Sequence, residues 1–320
     1  MSFLTLKTGI YIAILAVAIF VFREYWKPGM CQSKARIDGK IAIITGANTG
    51  IGKVTAEEFV KRGAKRVYMA CRSVEKGNAA AADITKNTKV KDGQLVVMKL
   101  NLASLKSIRD FVKEFKSRET ELHLLINNAG IMFDVHRKTE DGFEETFGVN
   151  HLGHFLLTNL LLDYLKSSAP SRIINVSSLG HLFATINFDD LNGDKNFNTY
   201  TAYGQSKLAN ILFTKELAVR LEGTGVTAYA LHPGAVMTEL QRHSSFLMFT
   251  QRVMSILWKT PLEGAQTQIC CAVSEELANT SGKYYSDCQE KEPSAAAQDM
   301  KVAKHLWEVS EELVGLKSSN

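Results

Sequence analysis

"KIAIITGANTGIGKVTAEEFVKRG", Lys40–Gly63, sets three pieces in immediate succession. Ile41–Ile44 is an unbroken apolar run, the pattern of a strand covered on both faces rather than one with a wet side. "TGANTGIG", Thr45–Gly52, then crowds Gly46, Gly50 and Gly52 between that strand and a helix. Glycine permits a tight turn and lets the backbone approach a ligand closely. The start of the helix offers unpaired N–H groups and the positive end of its dipole, which together seat a phosphate. Glycines alone would be weak support. Framed by strand and helix, they predict a dinucleotide pyrophosphate site.

The alternation continues outward. "KRVYMAC", "QLVVMKLNL", "LHLLINN", "RIINVSS" and "VTAYALHPG" read as further strands. Between them lie predicted helices over Val74–Asn87, Leu102–Arg118, Glu144–Lys166 and Ala202–Leu221. Apolar strands alternating with helices predict an α/β fold, a single Rossmann-type doubly wound parallel sheet, over residues 37–320. No internal repeat interrupts it.

Bulk properties exclude several functions. The net charge of +5 on 320 residues is mild and scattered, with no basic stripe carrying aromatics, so nucleic acid is not an expected partner. Five cysteines at irregular spacing, without Cys-x-x-Cys or a histidine cluster, predict neither a metal site nor a disulfide framework. Thr8–Phe22 is uncharged, and counting back to Phe3 gives a stretch broken only by Lys7. That length suits a membrane anchor over residues 1–36, including its basic linker. Phe-Val-Phe-Arg follows where a signal peptidase would need small residues. Arg23, Lys27, Lys34, Arg36 and Lys40 follow the segment while only Lys7 precedes it, so the domain is expected to face the cytosol. The sequon at Asn279 would then be silent.

"TAYGQSKLAN", Thr201–Asn210, places Tyr203 four residues before Lys207. A chain with nine tyrosines supplies such a spacing by chance, so the surroundings must decide. The glycine spacing Gly-x-x-x-Gly-x-Gly, "NNAG" (Asn127–Gly130), "GVNHLGHF" with Asn150, the Tyr203/Lys207 pair and "HPG" (His232–Gly234) come in one order. That series resembles the short-chain dehydrogenase/reductase family across roughly residues 37–290. The resemblance implies Tyr203 as acid/base, with Lys207 tuning it and holding the nicotinamide ribose, and Asn150 positioning a relay water. Strand geometry lets only one of Ser177 and Ser178 face the site. The family pattern selects Ser178, which would also bond the substrate carbonyl.

For the cofactor the resemblance implies contacts from Gly46, Asn48, Thr49, Gly50, Ile51 and Gly52. It adds Asn101, Leu102, Asn128, Ala129, Gly130, Pro233, Gly234 and Thr238. The second strand ends on Arg72 where NAD enzymes commonly carry a carboxylate, and a guanidinium there suits the 2′-phosphate of NADP(H). Asn101 stands where relatives often have Asp, keeping an acceptor but losing the charge.

Ser178 and Tyr203 lie 25 residues apart, more than in many members. The inserted "HLFATINFDDLNGDKNFN", with "ACRSVEKG" and "SKLANILFTKEL", resembles the microsomal retinol dehydrogenase-like subgroup. A substrate lid is expected at about 235–261, rich in apolar residues such as Phe246, Met248, Phe249 and Trp258. A greasy lid beside an anchor suggests a hydrophobic substrate; the subgroup resemblance implies a retinoid, with net reduction of all-trans-retinal to retinol expected from NADPH. Hydroxysteroids and lipid aldehydes are the alternative, and a non-catalytic membrane scaffold is the remote one. The expected location is the endoplasmic reticulum membrane, with mitochondrial or lipid-droplet membranes as alternatives. A homo-oligomer is compatible with the sequence.

Overall fold

β1 (Ile41–Thr45) carries apolar side chains on both faces because both faces are covered. Ile41 and Ile43 join one core layer, whereas Ala42 and Ile44 join another on the opposite side of the sheet. In this computed structural model, residues 28–91, 93–237 and 258–317 are described. The expected anchor over Thr8–Phe22, Thr238 and most of the lid lie outside them. Among the described residues no helix is long and apolar enough to cross a membrane.

Next come α1 (Gly50–Lys61), β2 (Arg66–Cys71), α2 (Val74–Asn87), β3 (Leu95–Lys99), α3 (Leu105–Arg118) and β4 (Leu124–Asn127). α4 (Gly153–Ser167), β5 (Ser171–Val176), α5 (Thr199–Arg220) and β6 (Val226–His232) complete the elements expected from the sequence. Four more were not read there. α6 (Pro261–Val273), β7 (Lys283–Ser286), β8 (Gln289–Glu290) and α7 (Met300–Leu313) finish the domain. β7 is short and β8 has two residues, too little pattern for periodicity to find.

The eight strands run in the order β3-β2-β1-β4-β5-β6-β7-β8, with every pair parallel except β7–β8. The chain reverses its direction of travel across the sheet between β1 and β4. At that reversal the connections leave to opposite faces, and a crevice opens beyond the strand ends. One layer, built from α3, α4, α5 and α7, packs Phe111, Phe155, Phe213 and Trp307 against the sheet. The other, from α1, α2 and α6, buries Phe59, Ile84 and Ile269.

The helix expected over Glu144–Lys166 is not uniform. Glu145–Phe147 is one α turn, Gly148–Leu152 is a π turn, and only then does α4 begin. A π turn inserts a residue and re-aims the side chains around it, and such bulges concentrate at functional sites. Asn150 sits in its middle.

Three histidines are buried without charge. Loss of hydration holds His151 down at about 3, and His154 and His232 at about 4. Each is therefore unprotonated in the fold and protonated once unfolded below about pH 6.5. The unfolded chain binds more protons there, so stability falls as pH drops from about 6.5 towards 4. The slope is about 1.4 kcal/mol per pH unit for each histidine. Thermal unfolding followed from pH 7 to pH 4 measures it; a flat profile would contradict the buried neutral state.

Candidate active site

A cleft of about 500 Å³ runs along the carboxyl ends of the strands, from Arg72 at the end of β2 to Tyr203 on α5. Its floor is the turn after β1. Gly46 has φ 67°, and a Cβ on it would press on Ala129 at 3.1 Å. A Cβ on Gly52 would stand 2.5 Å from the Gly46 carbonyl oxygen, so only glycine lets α1 approach the turn. Thr49 caps α1 without a side-chain hydrogen bond, and no acidic residue occupies the first turn. The N–H groups there remain available to an anion. Asn48, Thr49, Gly50 and Ile51 line the same floor.

At the far end Arg72 is exposed and, among the described residues, has no ion-pair partner. Ser73 and Lys76 line the cleft beside it. Neither was singled out in the sequence, although Ser73 carries a cap signal: its hydroxyl accepts from Lys76 N at 3.3 Å. Asn101 and Leu102 close this end. The Asn101 Oδ1 already accepts from Ala103 N at 3.2 Å, so the acceptor expected for adenine is shared with its own turn.

The reacting end gathers residues from β4, the π turn, β5 and α5. Ser177 is spent on structure, its hydroxyl donating to the Lys207 carbonyl at 2.7 Å. Ser178 instead borders the cleft, with its hydroxyl placed to favour the ionised Tyr203 phenol. Tyr203 keeps part of its surface open to the cleft. Protein around it pushes the phenol above its ordinary range, and the Ser178 hydroxyl pulls partly back. Lys207 is buried, and loss of hydration pushes its ammonium down to about 8. This differs from the expectation that lysine depresses the tyrosine: in the protein alone, burial governs both groups. Lys207 Nζ stands 5.6 Å from the centre of the Tyr203 ring and donates to the Val176 carbonyl at 3.2 Å.

Asn150 is fully engaged. Its Oδ1 accepts from Ile131 N at 2.9 Å, and its Nδ2 donates to Ile131 O and to Ser206 Oγ, each at 3.0 Å. The side chain therefore clamps the loop after β4 to α5. The Asn150 carbonyl accepts from His154 Nδ1 at 3.0 Å. With that proton on Nδ1, the Nε2 is an acceptor, and it meets the Thr45 hydroxyl at 2.9 Å. Thr45 Oγ1 in turn accepts from Asn128 N and Ala129 N, both at 2.9 Å. One chain of bonds thus ties the end of β1, the loop after β4 and the π turn together. The sequence offered a signal for it, since Asn150 and His154 stand four apart. Gly130 lies between the two functional ends: a Cβ there would sit 3.3 Å from Lys207 Nζ and 3.6 Å from Asn150 Oδ1.

The residues fit a nicotinamide dinucleotide. An open helix start and a glycine turn suit the pyrophosphate, and two of the three Lys207 donors remain for ribose hydroxyls. Pro233 and Gly234, after β6, line the nicotinamide end with Trp258. Among the described residues no group of His, Cys, Asp and Glu could hold a metal ion.

Comparison with known proteins agrees. Residues 40–245 match the short chain dehydrogenase family. The chain is 50% identical over 317 residues to retinol dehydrogenase 12 of Mus musculus, covering 99% of each. It is 52% identical over 303 residues to retinol dehydrogenase 11 of Homo sapiens, 95% of this chain and 94% of that one. An uncharacterized protein from Mycobacterium paratuberculosis, 34% identical, superimposes with a TM-score of 0.73 over 90% of this chain and 98% of its own. Cleft, glycine turn and these relatives place the chain in the short-chain dehydrogenase family, as an NAD(P)-dependent oxidoreductase acting on CH–OH groups.

Proposed function

We propose that the protein interconverts a retinoid alcohol and its aldehyde with NADP(H), and that it works in cells as a reductase of all-trans-retinal. The observation that carries this is one cleft with Ser178, Tyr203 and Lys207 at one end and an exposed Arg72 at the other. Relatives named for retinol, matched over almost the whole chain, support the substrate class.

The bound nicotinamide supplies or takes the hydride. Ser178 holds the carbonyl oxygen with its hydroxyl, and Tyr203 delivers the proton to that oxygen. Lys207 keeps a positive charge near the phenolate left behind, which lowers the cost of giving up the proton. Asn150 fixes the loop that carries Gly130 and Ile131, and its place in the π turn aims the path by which Lys207 and Tyr203 are reprotonated. The uncharged Thr8–Phe22 segment would hold the domain at the endoplasmic reticulum membrane, facing the cytosol.

Arg72 decides the nucleotide in this reading. Arg72→Glu is expected to raise the KM for NADPH by roughly 10–10²-fold, the worth of a charge-assisted bond to phosphate, and to leave that for NADH nearly unchanged. The parent experiment assays purified membranes with NADPH against NADH and with all-trans-retinal against a steroid ketone, following nucleotide absorbance. Preference for NADH, or for the ketone, sinks the corresponding half of the reading.

A further inference from the structure

Large apolar side chains exposed to solvent are unevenly placed on this domain. In a parallel sheet, the chain after a strand and the start of the following helix lie on one rim, the rim that carries the cleft. Leu179, Leu182 and Phe183 follow β5 there, and Phe183 is 92% exposed. Tyr200 opens α5 and Leu262 opens α6, again on this rim, and both are exposed. Val219 is exposed near the end of α5, on the opposite rim. Single exposed apolar residues are ordinary, but several gathered at one mouth mark a contact surface.

The short helix holding Leu179–Phe183 is not a loose loop. The His181 ring is buried against Tyr284 of β7, with centroids 5.1 Å apart, and its Nε2 accepts from Ser294 N at 3.2 Å. Phe183 is therefore held outward on a fixed base.

Where the chain enters the domain points to the occupant. Gly29 N donates to Asp287 Oδ1 at 3.3 Å, and Cys288 Sγ donates to Gly29 O at 3.5 Å. Asp287 and Cys288 form the turn between β7 and β8, at the carboxyl end of β7 and on the cleft rim. Met30, next to Gly29, is itself exposed. Only six residues separate the uncharged Thr8–Phe22 segment from Gly29. Whatever holds that segment must lie close to the rim that carries Phe183. The other end of the cleft differs: Val74 is exposed there at the start of α2, but Arg72, Ser73, Lys76 and Asn101 give that end a polar and basic border.

We infer that the domain rests on a lipid bilayer through the carbonyl end of its cleft rim, with Leu182 and Phe183 entering the acyl region. The nucleotide end then tilts towards water, so NADP(H) exchanges with solvent while a lipid-soluble aldehyde passes directly from the membrane. This rests on reading Thr8–Phe22 as an anchor, but not on the identity of the substrate.

The test uses the full chain in phosphatidylcholine vesicles with brominated acyl chains. Phe183→Trp is compared with Val219→Trp and with the parent protein, whose own tryptophan emission is subtracted. The expected result is strong loss of the added emission at position 183, greatest with bromine near the headgroup, and no loss at position 219. Equal quenching at the two positions overturns the inference. So does an indole at 183 that is blue-shifted yet unquenched, since another part of the chain would then cover it. Failure of the protein to float with vesicles removes anchor and rim contact together, whereas flotation without quenching at 183 removes the rim contact alone. Neither readout involves turnover, so a wrong substrate would leave both unchanged.

Discussion

Tyr203→Phe is expected to lower the rate of aldehyde reduction by about 10²–10⁴-fold, the usual worth of a positioned general acid. The substitution keeps the ring and removes one oxygen. The ring packs against Gly180, where a Cβ would lie 3.3 Å from Tyr203 Cδ1, and Gly204 brings α5 close to the Gly180 carbonyl. Phenylalanine retains all of that packing. The lost hydroxyl interacts with Ser178, whose Oγ still accepts from Gly180 N at 3.3 Å. Thermal stability and NADPH affinity should therefore stay near the parent values while kcat collapses. Single-turnover hydride transfer, with a separate NADPH titration, separates the two. Near-normal turnover in this variant would remove Tyr203 from the mechanism.

The fold was legible because its determinants are local. β1 and β4 are apolar up to their last residues, Thr45 and Asn127, as suits a sheet covered on both faces. The residues of α2, Val74–Asn87, were bounded in the sequence as they occur. The turn at Gly46–Gly52 was legible for the same reason, since its glycines answer to backbone geometry within a few residues.

What escaped the sequence depends on contacts between distant parts. The π turn at Gly148–Leu152 is fixed by Asn150 reaching Ile131 and Ser206, and by His154 reaching Thr45. Apolar periodicity runs straight through it. The choice between Ser177 and Ser178 was open on strand geometry alone; it turns on Lys207 O, thirty residues away, taking the Ser177 hydroxyl. The electrostatics of the pair also needed the fold. Charge spacing says that a lysine one turn away favours phenolate, whereas burial moves each group towards neutrality.

Lys207→Met makes that last point measurable. At 5.6 Å from the Tyr203 ring, an ammonium stabilises a phenolate by about 3 kcal/mol at an effective dielectric of 20, so its removal should slow reduction by about 10²-fold. Loss of its free donors should also raise the dissociation constant for NADPH. In the parent, the ammonium is present below about pH 8 and lost above it, so kcat/KM for reduction should fall on the alkaline side of about 8. The variant should lack that limb. Stability moves the other way. The folded pKa lies below the unfolded value, so the charged form is disfavoured by folding, and this cost is full at neutral pH and fades as pH rises from about 8 to about 10.4. It amounts to about 3 kcal/mol. Methionine leaves no orphan behind, because the Val176 carbonyl still accepts from Asn210 Nδ2 at 3.1 Å. The variant should thus unfold at a higher temperature than the parent at pH 7, with the gain shrinking above pH 9, while its activity is lost. A variant that is both slower and less stable at pH 7 would make Lys207 a packing residue rather than a charge held against its hydration for the reaction.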